Sequence, residues 1–181
     1  SQIGPFDEML FIEHIDTVDM RPRLGARAVS HLAACAKSSA PFFIYLPLTS
    51  PHTPLAVNPE WMDKSHLNLF ADFVMETDAV VGRVLAALEK SGVANNTLVI
   101  FTSDNGCAPY IGVPDMEKMG HYPSGPLRGA KADAWEGGHR VPFIVRWPAK
   151  VKPAVSTALV ELNDLFATLA EVTGAKIPAD A

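Results

Sequence analysis

Four residues have side chains suited to a hard metal ion and an anionic substrate: His52, Asp104, Asn105 and Lys131. Asp104 and Asn105 set a carboxylate beside an amide carbonyl, the oxygen donors that calcium and magnesium take. They end the run Thr97-Leu98-Val99-Ile100-Phe101-Thr102-Ser103, which is apolar and β-branched, and Gly106 follows them. A buried strand with ligands at its carboxyl end is where open α/β sheets collect their sites. The same letters have a plainer reading, because Asn-Gly after a strand is the commonest hairpin signature. Calcium takes about six to eight oxygens, so two residues leave its other ligands to come from elsewhere.

His52 lies in Ser50-Pro51-His52-Thr53-Pro54. Two prolines stiffen that loop, so little entropy is lost in placing the imidazole. The ring could donate to an anion or carry a proton for a leaving group. A loop histidine satisfied by backbone is the alternative. Lys131, in Pro126-Leu127-Arg128-Gly129-Ala130-Lys131, is a compact positive charge that suits phosphate or sulfate oxygens, or else a solvated surface lysine. Glu136 and Arg140 read as a structural ion pair. Cys35 reads as a small buried hydrophobe on a helix, and Cys107 as a packing or loop residue. His14, His31, His66 and His139 show no metal-ligand spacing.

The elements that must position these residues follow from periodicity. Asp16 or Thr17 caps a helix through Leu24, Ala28, Leu32 and Cys35. A long helix runs from about His66 to Lys90, with apolar positions from Leu69 to Leu88 at three- and four-residue steps, and Ser91-Gly92 stops it. Phe42–Leu46 is a short continuous apolar run, the mark of a strand buried on both faces. Val141–Trp147 is another strand with Pro142 at its start, and Val155–Val160 a further one. Asn163 or Asp164 caps a last helix, closed by Gly174, and Phe6–Ile12 holds a short helix or strand. From Gly106 to Gly138 there is no periodicity, only a glycine-rich loop of a length that usually serves function. Helices alternating with continuously apolar strands predict an α/β fold with a mostly parallel sheet.

Composition narrows the classes. The chain has 181 residues, 48% hydrophobic and 19% charged, the balance of one globular domain with a core. Net charge is -5 with Lys and Arg scattered, which excludes a nucleic-acid surface. No apolar run approaches the roughly 20 residues of a membrane span. The opening SQIGPFDEML lacks a signal-peptide pattern and reads as the start of a fragment.

The run Pro41–Leu46 with Ser50-Pro51-His52-Thr53-Pro54, then Thr97–Gly106, Pro126–Lys131, Trp135-Glu136-Gly137-Gly138 and Arg140–Pro148 together resemble the type I, formylglycine-dependent sulfatases. So does the terminal Glu161-Leu162-Asn163-Asp164-Leu165. The resemblance covers most of residues 41–174, in order, and its flavour is arylsulfatase A-like and N-acetylgalactosamine-6-sulfatase-like. It implies an alkaline-phosphatase-like sheet flanked by helices, incomplete in this chain. It implies that Asp104 and Asn105 bind calcium, with magnesium an alternative. His52 would hydrogen-bond the sulfate ester near its leaving oxygen, and Lys131 would contact a sulfate oxygen. The substrate would be a sulfated sugar or an aryl sulfate, and the compartment periplasmic, secreted or lysosomal.

The sequence departs from the family at the nucleophile. Formylglycine derives from Cys or Ser in Cys/Ser-x-Pro-x-Arg. Cys107-Ala108-Pro109-Tyr110-Ile111 lacks the arginine, and Ser124–Arg128 overlaps the segment that matches the family's lysine loop. The nucleophile segment, the paired aspartates and the smaller C-terminal subdomain have no counterpart. The chain is therefore expected to be the central-to-late part of a sulfatase catalytic domain, inactive by itself. Two other readings stay open: a phosphoric or phosphonic ester hydrolase of the wider alkaline-phosphatase-like group, and a non-catalytic domain of the same fold.

Overall fold

A computed structural model of the protein describes residues 18–178. The chain divides between Val151 and Lys152 into two compact units. The first is built on two helices, α1 (Met20–Cys35) and α2 (Leu69–Lys90). α1 buries Arg21, Gly25, Ala28 and Leu32, one stripe at steps of three and four. Gly25 lets α2 approach closely, since a methyl group there would stand 2.9 Å from Val80 Cγ1.

α2 starts later than the periodicity suggests. His66 has φ 56°, outside helical space, and the cap is Asn68, whose side chain accepts the Ala71 N–H at 3.0 Å. Gly92, at φ 72°, follows the helix as expected. Residues Phe6–Ile12, Asp16 and Thr17 lie outside the described residues. α1 is flanked by Asp19, which makes no side-chain cap bond. Cys35 is half-buried, not buried, and its Sγ lies 3.5 Å from His31 Nε2.

Leu32, Ala87, Leu88 and Ala94 form one core cluster, with Val29, Phe42, Ile44, Val84, Leu85, Val93 and Val99 packed on it. From there β1 (Val99–Thr102) pairs with β2 (Phe143–Arg146) in antiparallel register, Val99 opposite Arg146 and Thr102 opposite Phe143. Among the described residues there is one sheet, two-stranded and antiparallel, and the expected mostly parallel sheet is not formed within them. The pairing also removes the hairpin reading of Asn105-Gly106, because the partner of β1 lies beyond the glycine-rich stretch.

Two expected strands are not formed. Phe42–Leu46 is irregular. Phe42 and Ile44 pack on the core, while Phe43 and Tyr45 are 67% and 78% exposed. That alternation is the side-chain pattern of a strand, but a ladder needs a neighbour and none pairs with this run among the described residues. Burial on both faces is therefore overturned. Val155–Val160 is likewise irregular, with Val155 96% exposed.

The span between β1 and β2 is not loop throughout. A single 3-10 turn, Pro109–Ile111, leads into α3 (Val113–Lys118), and α4 is one turn, Glu136–His139. Asn68 Nδ2 donates to Ile111 O at 3.0 Å, tying this span to the start of α2. In the second unit α5 spans Asp164–Thr173 and ends on Gly174 at φ 69°. Asn163 precedes it without a side-chain cap bond, and Asp164 instead accepts the Glu161 N–H at 2.9 Å. Among the described residues no helix is long and apolar enough to cross a membrane.

Candidate active site

Asp104 and Asn105 follow β1 after one residue, Ser103. Asp104 is exposed, and its carboxylate accepts the Ser103 hydroxyl at 3.4 Å. Asn105 is half-buried, and its Nδ2 donates to Gly106 O at 2.9 Å. That leaves the amide oxygen of Asn105 and the Asp104 carboxylate available as donors.

The chain past this pair is stitched to the glycine-rich segment by backbone. Gly106 N–H donates to Gly138 O, Gly137 N–H to Arg128 O, and Lys131 N–H to Cys107 O, each at 2.8 Å. Only glycine fits this approach: a Cβ on Gly106 would lie 1.9 Å from Gly137 O, and one on Gly137 2.1 Å from Gly129 O. Lys131 is thereby fixed beside the residues that follow the oxygen pair, with its side chain half-buried. Asp133 accepts the Ala130 N–H at 2.9 Å, and the Arg128 guanidinium lies over the Trp135 ring at 3.7 Å.

Glu136 and Arg140 form the expected ion pair at 2.7 Å, exposed on both sides. Cys107 is half-buried and burial pushes its thiol above the ordinary range. A thiol so placed is a poor source of thiolate, consistent with the packing role read from the sequence.

His52 is exposed, with Nδ1 2.6 Å from Thr53 O. A carbonyl can only accept, so Nδ1 carries the hydrogen and Nε2 is the ring's free nitrogen. Among the described residues no hydrogen bond or ion pair joins His52 to Asp104, Asn105 or Lys131. The fold thus bonds the Lys131 backbone to Cys107, two residues past the oxygen pair, and holds the His52 loop on a separate support.

That support is the part sequence reasoning missed. Arg21 and Glu76 are each 2% exposed and paired at 3.2 Å. Glu76 also accepts from Asn58 N at 3.1 Å and from Asn58 Nδ2. Arg21 donates to Ala56 O and lies over the Phe73 ring at 3.9 Å. The signal was present: Asp72 and Glu76 fall four residues apart and four before Val80, on the apolar stripe of α2.

Asp104 and Asn105 have the donor chemistry for a hard cation, but not the number. Among the described residues no three His, Cys, Asp or Glu side chains gather to hold a metal.

The sequence model of one family, Sulfatase, matches residues 24–175. The chain belongs to the sulfatase family. This sulfatase chain is 41% identical over 144 residues to an N-acetylgalactosamine-6-O-sulfatase of Bacteroides thetaiotaomicron, an alignment that takes in 78% of the chain and 28% of the relative. It is 36% identical over 162 residues to human arylsulfatase A, covering 87% of the chain and 31% of that protein. A solved structure described under glycosaminoglycan metabolism by Bacteroides thetaiotaomicron superposes with a TM-score of 0.85 at 34% identity, over 92% of the chain and 35% of its own. The chain thus spans about a third or less of the curated relatives it matches.

Proposed function

We propose that this sulfatase chain is the central-to-late part of the catalytic domain of a sulfuric ester hydrolase, inactive alone. The observation that supports the reading is the Lys131 N–H bond to Cys107 O, 2.8 Å long, which ties the lysine's backbone to the chain two residues past Asn105. A sulfate ester is an anion, and it repels an oxygen nucleophile until its charge is neutralised. Lys131 supplies a point charge for a sulfate oxygen. Asp104 and Asn105 would hold calcium, or magnesium in its place, with the other ligands from outside the described residues. The ion, when bound, polarises the sulfate oxygens as a Lewis acid. A formylglycine in the longer protein would supply the nucleophile. His52 in its imidazolium form donates from Nε2, and so gives a proton to the alcohol oxygen as the S–O bond breaks.

The relatives' names favour a sulfated sugar as substrate, with an aryl sulfate as a usable surrogate. The remaining strands would complete an alkaline-phosphatase-like sheet, and the compartment would be periplasmic, secreted or lysosomal.

Steady-state kinetics on the full-length enzyme test the assignment. His52→Ala and Lys131→Ala are each expected to lower kcat/KM on a sulfated sugar by about 100-fold or more. Chelation should abolish activity and calcium restore it, and the 181-residue chain alone should hydrolyse no aryl sulfate. Full activity of Lys131→Ala, or a phosphate ester preferred to the sulfate ester, would overturn the reading.

A further inference from the structure

The loop that carries His52 is fastened at both ends to two consecutive residues of α2. At its far end Asn58 and Ala56 are held by Glu76 and Arg21. At its near end Ser50, itself buried, places its Oγ 2.8 Å from Thr77 Oγ1. The Thr77 hydroxyl also lies 2.7 Å from Phe73 O. A threonine hydroxyl has one hydrogen and a carbonyl can only accept. Thr77 therefore donates to Phe73 O, and the Ser50 O–H donates to Thr77 Oγ1. Thr49 O, next in the chain, accepts the His52 N–H at 3.2 Å. A short relay thus runs from α2 through Ser50 and Thr49 to the backbone of His52. Among the described residues the His52 ring's hydrogen bond is to the Thr53 carbonyl, so its placement depends on where the loop is held.

We infer that Thr77 is a positioning residue for His52: its hydroxyl fixes the near end of the loop and so the reach of His52 Nε2 to the leaving-group oxygen. The inference rests on the assignment of His52 as proton donor. Thr77 touches no substrate and acts through Ser50. Glu76 shares the task at the far end, but its buried ion pair ties it to folding. The Thr77 hydroxyl can be removed with shape retained.

The test is a double-mutant cycle in the full-length enzyme with two substrates. One is a sugar sulfate, whose alkoxide needs the proton. The other is a nitrophenyl sulfate, whose phenolate leaves without it. Thr77→Val is expected to lower kcat/KM on the sugar sulfate about tenfold and to change the nitrophenyl sulfate by less than about twofold. Thr77→Ser, which keeps the hydroxyl, should restore the wild-type rate. In a His52→Ala background Thr77→Val should add no further loss, because residues acting as one unit are not additive. An equal fall on both substrates, the same fall in the His52→Ala background, or no fall at all overturns the inference. A harmless His52→Ala overturns both the inference and the assignment beneath it, whereas a crippling His52→Ala with a harmless Thr77→Val overturns the inference alone. If Thr77→Val does not fold, Ser50→Ala removes the same hydrogen bond from the other side and is read by the same criteria.

Discussion

The loop that carries His52 and the segment that carries Lys131 are held by different kinds of bond. The His52 loop hangs on side chains: Ser50 on Thr77, Asn58 on Glu76, and Glu76 in turn on Arg21. The Lys131 segment hangs on main chain: Gly106 and Lys131 donate to carbonyls across the gap, and Gly137 donates to Arg128 O within the segment. In the first region the identity of a few polar residues holds the geometry. In the second the absence of side chains holds it, since the carbonyls sit where a Cβ would go. One region is vulnerable to deletion of groups and the other to their addition.

The largest effect should come from the side-chain region. Glu76→Ala leaves the buried Arg21 guanidinium without its carboxylate. Breaking such a pair costs about 3–5 kcal/mol, to be read as the drop in unfolding free energy of the full-length enzyme in urea. A loss of less than about 1 kcal/mol would mean that the network is not what holds the loop.

Next comes the opposite operation on the backbone region. Gly137→Ala puts a methyl 2.1 Å from Gly129 O, and backbone cannot turn aside as a side chain can. Overpacking of this kind costs about 3 kcal/mol, and the loss of Lys131 placement should take activity with it. Gly82→Ala on α2 is the control: nothing lies within 4 Å of its added Cβ, and the helix should gain up to about 1 kcal/mol. A Gly137→Ala enzyme as stable and active as wild type would erase the contrast between the two regions.

The smallest effect concerns acid stability. Burial pushes the Asp72 carboxyl up, but the bonds it receives from the backbone and side chain of Ser65 and from the Asp63 and Lys64 amides outweigh this and hold it below 3.8. Its folded value is depressed, so its contribution is present above the unfolded value and is lost as pH falls through the folded one. Asp72→Asn should therefore flatten the decline of stability below about pH 4 and lower stability at neutral pH. Parallel pH curves for the two proteins would refute this.

Much of the helical frame was legible. The apolar stripes of α1 and α2 and the glycines after α2 and α5 are local signals, and local signals survive the absence of context. The positions of β1 and β2 were legible for the same reason. Their pairing was not, because register is decided by residues distant in sequence. Phe42–Leu46 and Val155–Val160 carry strand composition, yet a strand exists only when another backbone pairs with it.

At the site, the residue types of His52, Asp104, Asn105 and Lys131 were visible. The meeting of Lys131 with the chain after Asn105 was not, because it is made by N–H and C=O groups that every residue owns. Glu76 was overlooked because a carboxylate on a helix is ordinarily solvated, although its place on the apolar stripe marked it as buried.

The bonds of Gly106, Lys131 and Gly137 also bear on time scales. A ribbon drawing shows Gly106, Cys107 and Arg128–Trp135 as irregular chain, the part of a protein whose amide hydrogens usually trade with solvent fastest. Here two of those amides, Gly106 and Lys131, are locked to carbonyls at 2.8 Å, as is the Gly137 amide in α4. In deuterated water they should exchange on the slow clock of the helices while the neighbouring amides of Ala132 and Trp135 exchange on the fast one. The unit that carries Lys131 is thus drawn by exchange rates, across the boundaries that secondary structure would give it.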